Sequence, residues 1–231
     1  MPWSRLRVLR WWPALVYPLA LAVASAALAE RDAAGRLEWL AAASTNLRNL
    51  QAHPLRSLAE SAVLIDADVA AWVALAALGL TGLVAAAGPV RASAVALTAH
   101  VVGTLVSEGA LGVRVARGLE PASAGSIVDV GPSFVVVGVL VATVVAGRGR
   151  FWRLLSALSF GLLVPSLFEG LEQWDVTAIG HVTALAVGAA SGALLLAGRA
   201  GADGVPSGSD GEFDASTSAG LAGKDIPRRR P

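Results

Sequence analysis

The chain has 231 residues, of which 55% are hydrophobic and only 15% charged, well short of the quarter or so that is charged in a soluble domain. A formal net charge of +1 gives no basis for nucleic-acid binding, and the absence of cysteine excludes thiol catalysis, disulfides and thiolate metal sites. Charges gather in short stretches separated by long apolar runs, and a bilayer core about 30 Å thick needs roughly 20 apolar residues per helix, so an all-α, polytopic membrane bundle is expected.

Residues 1–11 form a short N-terminal segment with Arg5, Arg7 and Arg10 ahead of the first apolar run, Trp12 to Ala29. This run ends in Ala27-Leu28-Ala29, which also suits a cleaved signal peptide; five apolar segments remain in that case. The stretch 30–68 is too long for a simple hairpin. Leu37, Leu40, Leu47 and Leu50 recur near helical spacing around Trp39, so short helices lying in the membrane interface are expected. Further spans are expected from Val69 to Ala87, Ala92 to Gly112, Val130 to Ala146, Leu154 to Phe168 and Val176 to Ala197, giving about six in a membrane domain over 12–198. Beyond it, 199–231 turns rich in Gly, Ser, Asp and Pro and reads as a disordered tail. Placing the N-terminus inside puts 12 basic residues on the inner side and six outside, so both termini are expected in the cytoplasm. The arginine- and alanine-rich composition points to a bacterial inner membrane.

Of the three histidines, His53 precedes Pro54 in a loop, whereas His100 and His181 lie inside expected spans, where polar groups usually face the bundle or a wet cavity. Ser133 opens the fourth span and His181 lies about one turn into the sixth. Both spans start at the same face, so the hydroxyl and the imidazole are expected at similar depth, and an imidazole within hydrogen-bond reach can activate a serine. His181, Ala184, Gly188 and Gly192 fall on one helical stripe, whose small residues allow a neighbouring backbone to approach closely. His100, Thr104 and Glu108 form a second, polar stripe on the third span. Glu108 is a candidate to orient His181 or to contact a client.

Gly131-Pro132-Ser133, and Gly180-His181-Val182-Thr183-Ala184 continuing through Gly188 and Gly192, resemble the fourth and sixth spans of the rhomboid intramembrane serine proteases. The resemblance covers roughly residues 46 to 197 and includes Ser61-Ala62-Val63 before the second span. It implies a Ser133–His181 dyad without an acid, needing no cofactor and no metal, that cleaves transmembrane protein clients near the outer surface. Gly131, with His100, Thr104 and Glu108, is a candidate for oxyanion support or client contact. Three departures bear on activity. Phe134 stands where the family usually has glycine; the second span, Val69-Ala70-Ala71-Trp72-Val73-Ala74-Leu75, lacks the usual histidine and asparagine; and Pro132 has no N–H to offer. One lost oxyanion donor costs about 2.7–4 kcal/mol.

Blander roles stand beside these: Ser133 or Asp129 as a helix N-cap, His181 as a packed structural histidine, and Arg228-Arg229-Arg230 as an anchor at anionic lipid. Three functions are carried forward. They are an intramembrane serine peptidase, a degenerate relative that binds transmembrane clients without cutting them, and a small transporter using the His100–Thr104–Glu108 stripe.

Overall fold

The computed structural model describes residues 10–203, all helix and connection. In chain order the helices are α1 (Trp12–Ala29), α2 (Ala33–Ala43), α3 (Leu47–Ala52), α4 (Pro54–Ser61), α5 (Val69–Ala87), α6 (Pro89–Ala116), α7 (Ser133–Ala146), α8 (Arg150–Leu167) and α9 (Val176–Asp203), with short 3-10 turns at Ala122–Ser126 and Leu171–Gln173. Four of them, α1, α5, α6 and α9, are long and apolar enough to cross a membrane.

The fourth expected span is shorter than its apolar run. Gly131 takes a positive φ of 143° and Pro132 caps the helix, so α7 starts at Ser133 rather than Val130 and runs for only 14 residues. At 1.5 Å per residue that is about 21 Å, less than a bilayer core. It is buried almost throughout, from Phe134 to Thr143 without a break, so its ends meet protein rather than lipid. The expected fifth span begins earlier, at Arg150, and only Ser156 and Leu167 of α8 are buried. The last helix continues past the expected boundary at 198 to Asp203, while residues 1–9 and 204–231, including Arg228–Arg230 and most of the expected tail, lie outside the described residues.

α7 is the axis of the bundle, and small residues set how closely its neighbours approach. A Cβ placed on Gly188 would fall 2.6 Å from the Gly138 carbonyl oxygen, and one on Gly192 would fall 2.7 Å from the Val145 Cβ, so the stripe of Ala184, Gly188 and Gly192 faces α7. On the other side Gly79 and Gly82 of α5 meet Val139 and Thr143. The Thr143 hydroxyl donates to the Gly79 carbonyl at 3.1 Å, a cross-helix bond in an apolar setting.

The stretch between α1 and α5 does form three short helices, and side-chain oxygens cap two of them. Asp32 accepts from Gly35 N–H at 2.8 Å and Asn46 from Asn49 N–H at 3.0 Å. Buried polar groups tie this stretch to the connection before α7. Ser44 Oγ accepts from Asp129 N–H at 2.8 Å, Thr45 N–H donates to the Asp129 carbonyl at 3.0 Å, and Gly131 N–H donates to the Ser61 carbonyl at 2.9 Å. The entry to α7 is thereby fixed.

At the opposite end of the bundle, arginines satisfy helix C-termini. Arg199 on α9 donates to the Ala146 and Ala86 carbonyls, each at 2.7 Å, bridging the ends of α7 and α5. Carbonyls there carry the negative end of the helix dipole, so a cation is favoured.

Candidate functional site

Ser133 is the first residue of α7, half-buried, and neither it nor Asp129 caps the helix; Pro132 holds the cap position with no side-chain bond. The conformation of the turn follows from Gly131, whose φ of 143° suits a residue without a Cβ.

His181, one turn into α9, is buried, and its Nδ1 lies 2.6 Å from the Leu167 carbonyl at the end of α8. Nδ1 therefore carries the proton and donates it to that oxygen, which leaves the Nε2 lone pair free. Nε2 is buried and has no hydrogen-bond partner among the described residues, so Ser133 is not bonded to it. What covers the imidazole is Phe134. The two rings meet edge to face, with centroids 5.3 Å apart at 78°.

Phe134 reaches this position because α6 and α9 both offer a glycine there. A Cβ on Gly180 would overlap the Phe134 ring, and one on Gly103 would come within 3.1 Å of it. Behind the ring, His100 lies 6.4 Å away, centroid to centroid. Phe134 thus occupies the space between two histidines on two helices, within a buried cluster that includes Ala99, Leu167 and Ala184.

The polar stripe on α6 is buried as a whole, but its members have separate neighbours. His100 Nε2 donates to the Leu58 carbonyl of α4 at 2.9 Å, and its Nδ1 is unpartnered among the described residues. Thr104 Oγ1 is likewise buried without a partner there. Glu108 does not reach His181. It adjoins the Leu47 backbone and the Asp129 carboxylate, and one of its oxygens is unpartnered among the described residues. The charged group near His181 is Asp175, which also caps α9 by accepting from Ala178 N–H at 3.1 Å.

Asp129 lies in the connection outside the spans. Burial, reinforced by the nearby Asp175 carboxylate, pushes its carboxyl up to about 6, against a hydrogen bond from Thr177 that favours the charged form. The end of the bundle at which α9 starts therefore holds three carboxylates, Glu108 beside Asp129 and Asp129 beside Asp175. Among the described residues no three His, Asp or Glu side chains converge as metal ligands.

The sequence marks Ser133, His181 and the α6 stripe but not the groups that hold His181 and His100. Leu167 and Leu58 act through backbone carbonyls, which leave no mark in a sequence. Phe134 was visible as a departure from a glycine, and that was the one available signal for its position over His181.

The profile of a family described as rhomboid-like protein matches residues 10–202 of the chain. No curated protein and no solved structure matches it.

Proposed function

This chain belongs to the rhomboid-like protein family, and we propose that it is a non-cleaving member that holds transmembrane segments of other proteins in a bacterial cytoplasmic membrane, with both termini inside. The observation that carries this reading is Phe134. A serine peptidase needs a hydroxyl, a substrate carbonyl and a water beside the free nitrogen of the base. Here the Phe134 ring lies against His181, and Nε2 is buried with no partner among the described residues. Pro132 removes one backbone donor, and α5 begins Val69-Ala70-Ala71-Trp72, with neither a histidine nor an asparagine to hold an oxyanion.

A surface for clients is offered by α8. Leu154, Leu158 and Leu162 are 60%, 66% and 83% exposed and form one apolar ridge against lipid, on the helix with the fewest buried residues of the long ones. A client helix packing there gains van der Waals contact without displacing a protein neighbour.

One observation favours the peptidase reading instead. The Leu167 carbonyl fixes His181 in the tautomer a general base requires, with Nε2 unprotonated. A fluorophosphonate probe separates the two. The wild type in lipid nanodiscs is expected to remain unlabelled, like Ser133→Ala. Labelling of the wild type that Ser133→Ala abolishes would establish the peptidase and end the non-cleaving reading. A photo-crosslinker at Leu162 should capture a defined transmembrane peptide more than one at Leu19 on α1, a position 63% exposed. Equal capture at both would remove α8 as the client surface.

A further inference from the structure

At the end of the bundle away from Ser133 lies a hollow of different chemistry. A cavity of about 470 Å³ opens between the first turns of α6 and the last turns of α9, with Arg91, Arg199 and Ser191 on its polar side and Val95, Leu194 and Leu195 on its apolar side. Arg199 is held in place by its two bonds to the Ala146 and Ala86 carbonyls. A guanidinium has five N–H donors, so three remain for another acceptor. The carbonyl ends of α5 and α7 offset part of its charge. Arg91 has no such offset. It sits in the first turn of α6, where the helix dipole already presents partial positive charge and a basic residue is disfavoured. Among the described residues the ion pairs are Arg36–Asp66, Arg56–Glu60 and Arg114–Glu120, and neither cavity arginine takes part in one.

We propose that this hollow binds the headgroup of an anionic phospholipid, its phosphate between Arg91 and Arg199 and its acyl chain along the outer face of α9. The chemistry recognised is a phosphate anion, and the cavity wall selects a lipid over a soluble phosphate. Leu194 at its rim is 73% exposed, so the polar pocket borders an exposed apolar surface of α9. The same end carries Arg10, Arg148, Arg150 and Arg153, which concentrate anionic lipid near the mouth. A guanidinium fork already anchored to two helix ends is also preorganised for a second, bidentate acceptor. This lipid site does not depend on whether Ser133 is a nucleophile.

The test is lipid retention by the purified full chain, read by native mass spectrometry after equilibration with phosphatidylglycerol or phosphatidylcholine at equal mole fraction. One phosphatidylglycerol should be retained in preference to phosphatidylcholine. Arg91→Gln should weaken that retention about fivefold, the effect of one surface arginine on an anionic lipid. Arg91 makes no hydrogen bond among the described residues, so Arg91→Gln should keep the wild-type thermal midpoint; Arg91→Lys, which keeps the charge, should retain most of the lipid. Arg148→Gln, at the same end but outside the cavity, should weaken retention clearly less than Arg91→Gln, and millimolar inorganic phosphate should not displace the lipid. Equal retention of the two lipids, an Arg148→Gln loss as large as that of Arg91→Gln, or displacement by phosphate would each overturn the proposal.

Discussion

Phe134 decides the character of the site because a single side chain does three jobs at once. It fills the gap between Gly103 and Gly180, it covers His181, and it joins the buried cluster around Ala184. A glycine there would remove packing worth about 3–5 kcal/mol and leave a space against the imidazole. Its position is therefore a stability feature and, on the non-cleaving reading, a chemical block as well. Asp129 is the residue through which acidity reaches the fold. Its carboxyl titrates at about 6 instead of the ordinary 3.8, so the folded state binds the proton more tightly than the unfolded one. Stability from this group is then greatest below pH 4 and is lost as pH rises towards 6. The wild-type thermal midpoint should decline relative to that of Asp129→Asn across this window, by the equivalent of about 1–2 kcal/mol once partial exposure is allowed for. Parallel midpoints from pH 4 to 6.5 would show that the carboxyl is not strained by its surroundings.

Among the helices, the close seam between α7 and α9 is the contact that positions His181. A leucine at Gly188 would drive its Cβ into the Gly138 carbonyl, so Gly188→Leu should destabilise the bundle by about 2 kcal/mol or more through overpacking. On α8, a methyl group added at Gly161 would meet nothing within 4 Å, and Gly161→Ala should be neutral or slightly stabilising. A denaturant or thermal series on both variants checks the contrast; equal losses would mean that the seam is loose. This seam was readable from His181, Ala184, Gly188 and Gly192 because the need for small residues at a helix contact in lipid imposes a regular spacing. The bounds of α1 and α5 were readable for a similar reason, since charged or glycine-rich flanks end their apolar runs abruptly. The start of α7 was not. Val130 continues the apolar run, and only the backbone of Gly131 and the cap at Pro132 stop the helix from including it. Nor did spacing reveal that Glu108 turns towards Leu47 and Asp129, for a helical stripe fixes a direction and not the neighbour it meets.

For the molecule as a whole, charge divides the two ends. Arg10, Arg91, Arg148, Arg150, Arg153 and Arg199 gather at one end, whereas Asp66, Asp68, Asp129, Glu172 and Asp175 gather at the other, where Arg36, Arg56 and Arg114 are paired with acids. The lack of any native cysteine makes the orientation directly measurable. A membrane-impermeant maleimide added to intact cells should label Glu172→Cys and spare Arg148→Cys until the membrane is broken. The reverse pattern would invert the topology and, with it, the leaflet in which a client or lipid is met. The order in which the helices appear along the chain adds a constraint on assembly. α7 leaves the ribosome well before α9, yet α9 packs against it through Gly180, Gly188 and Gly192, and among the described residues it is Arg199 that bonds the carbonyls of Ala86 and Ala146. Until α9 inserts, the axial helix stays half-clad and two helix ends lack the arginine that bridges them. A nascent chain cut short before Arg199 thus carries its own mark of incompleteness, legible to any protease that patrols the membrane.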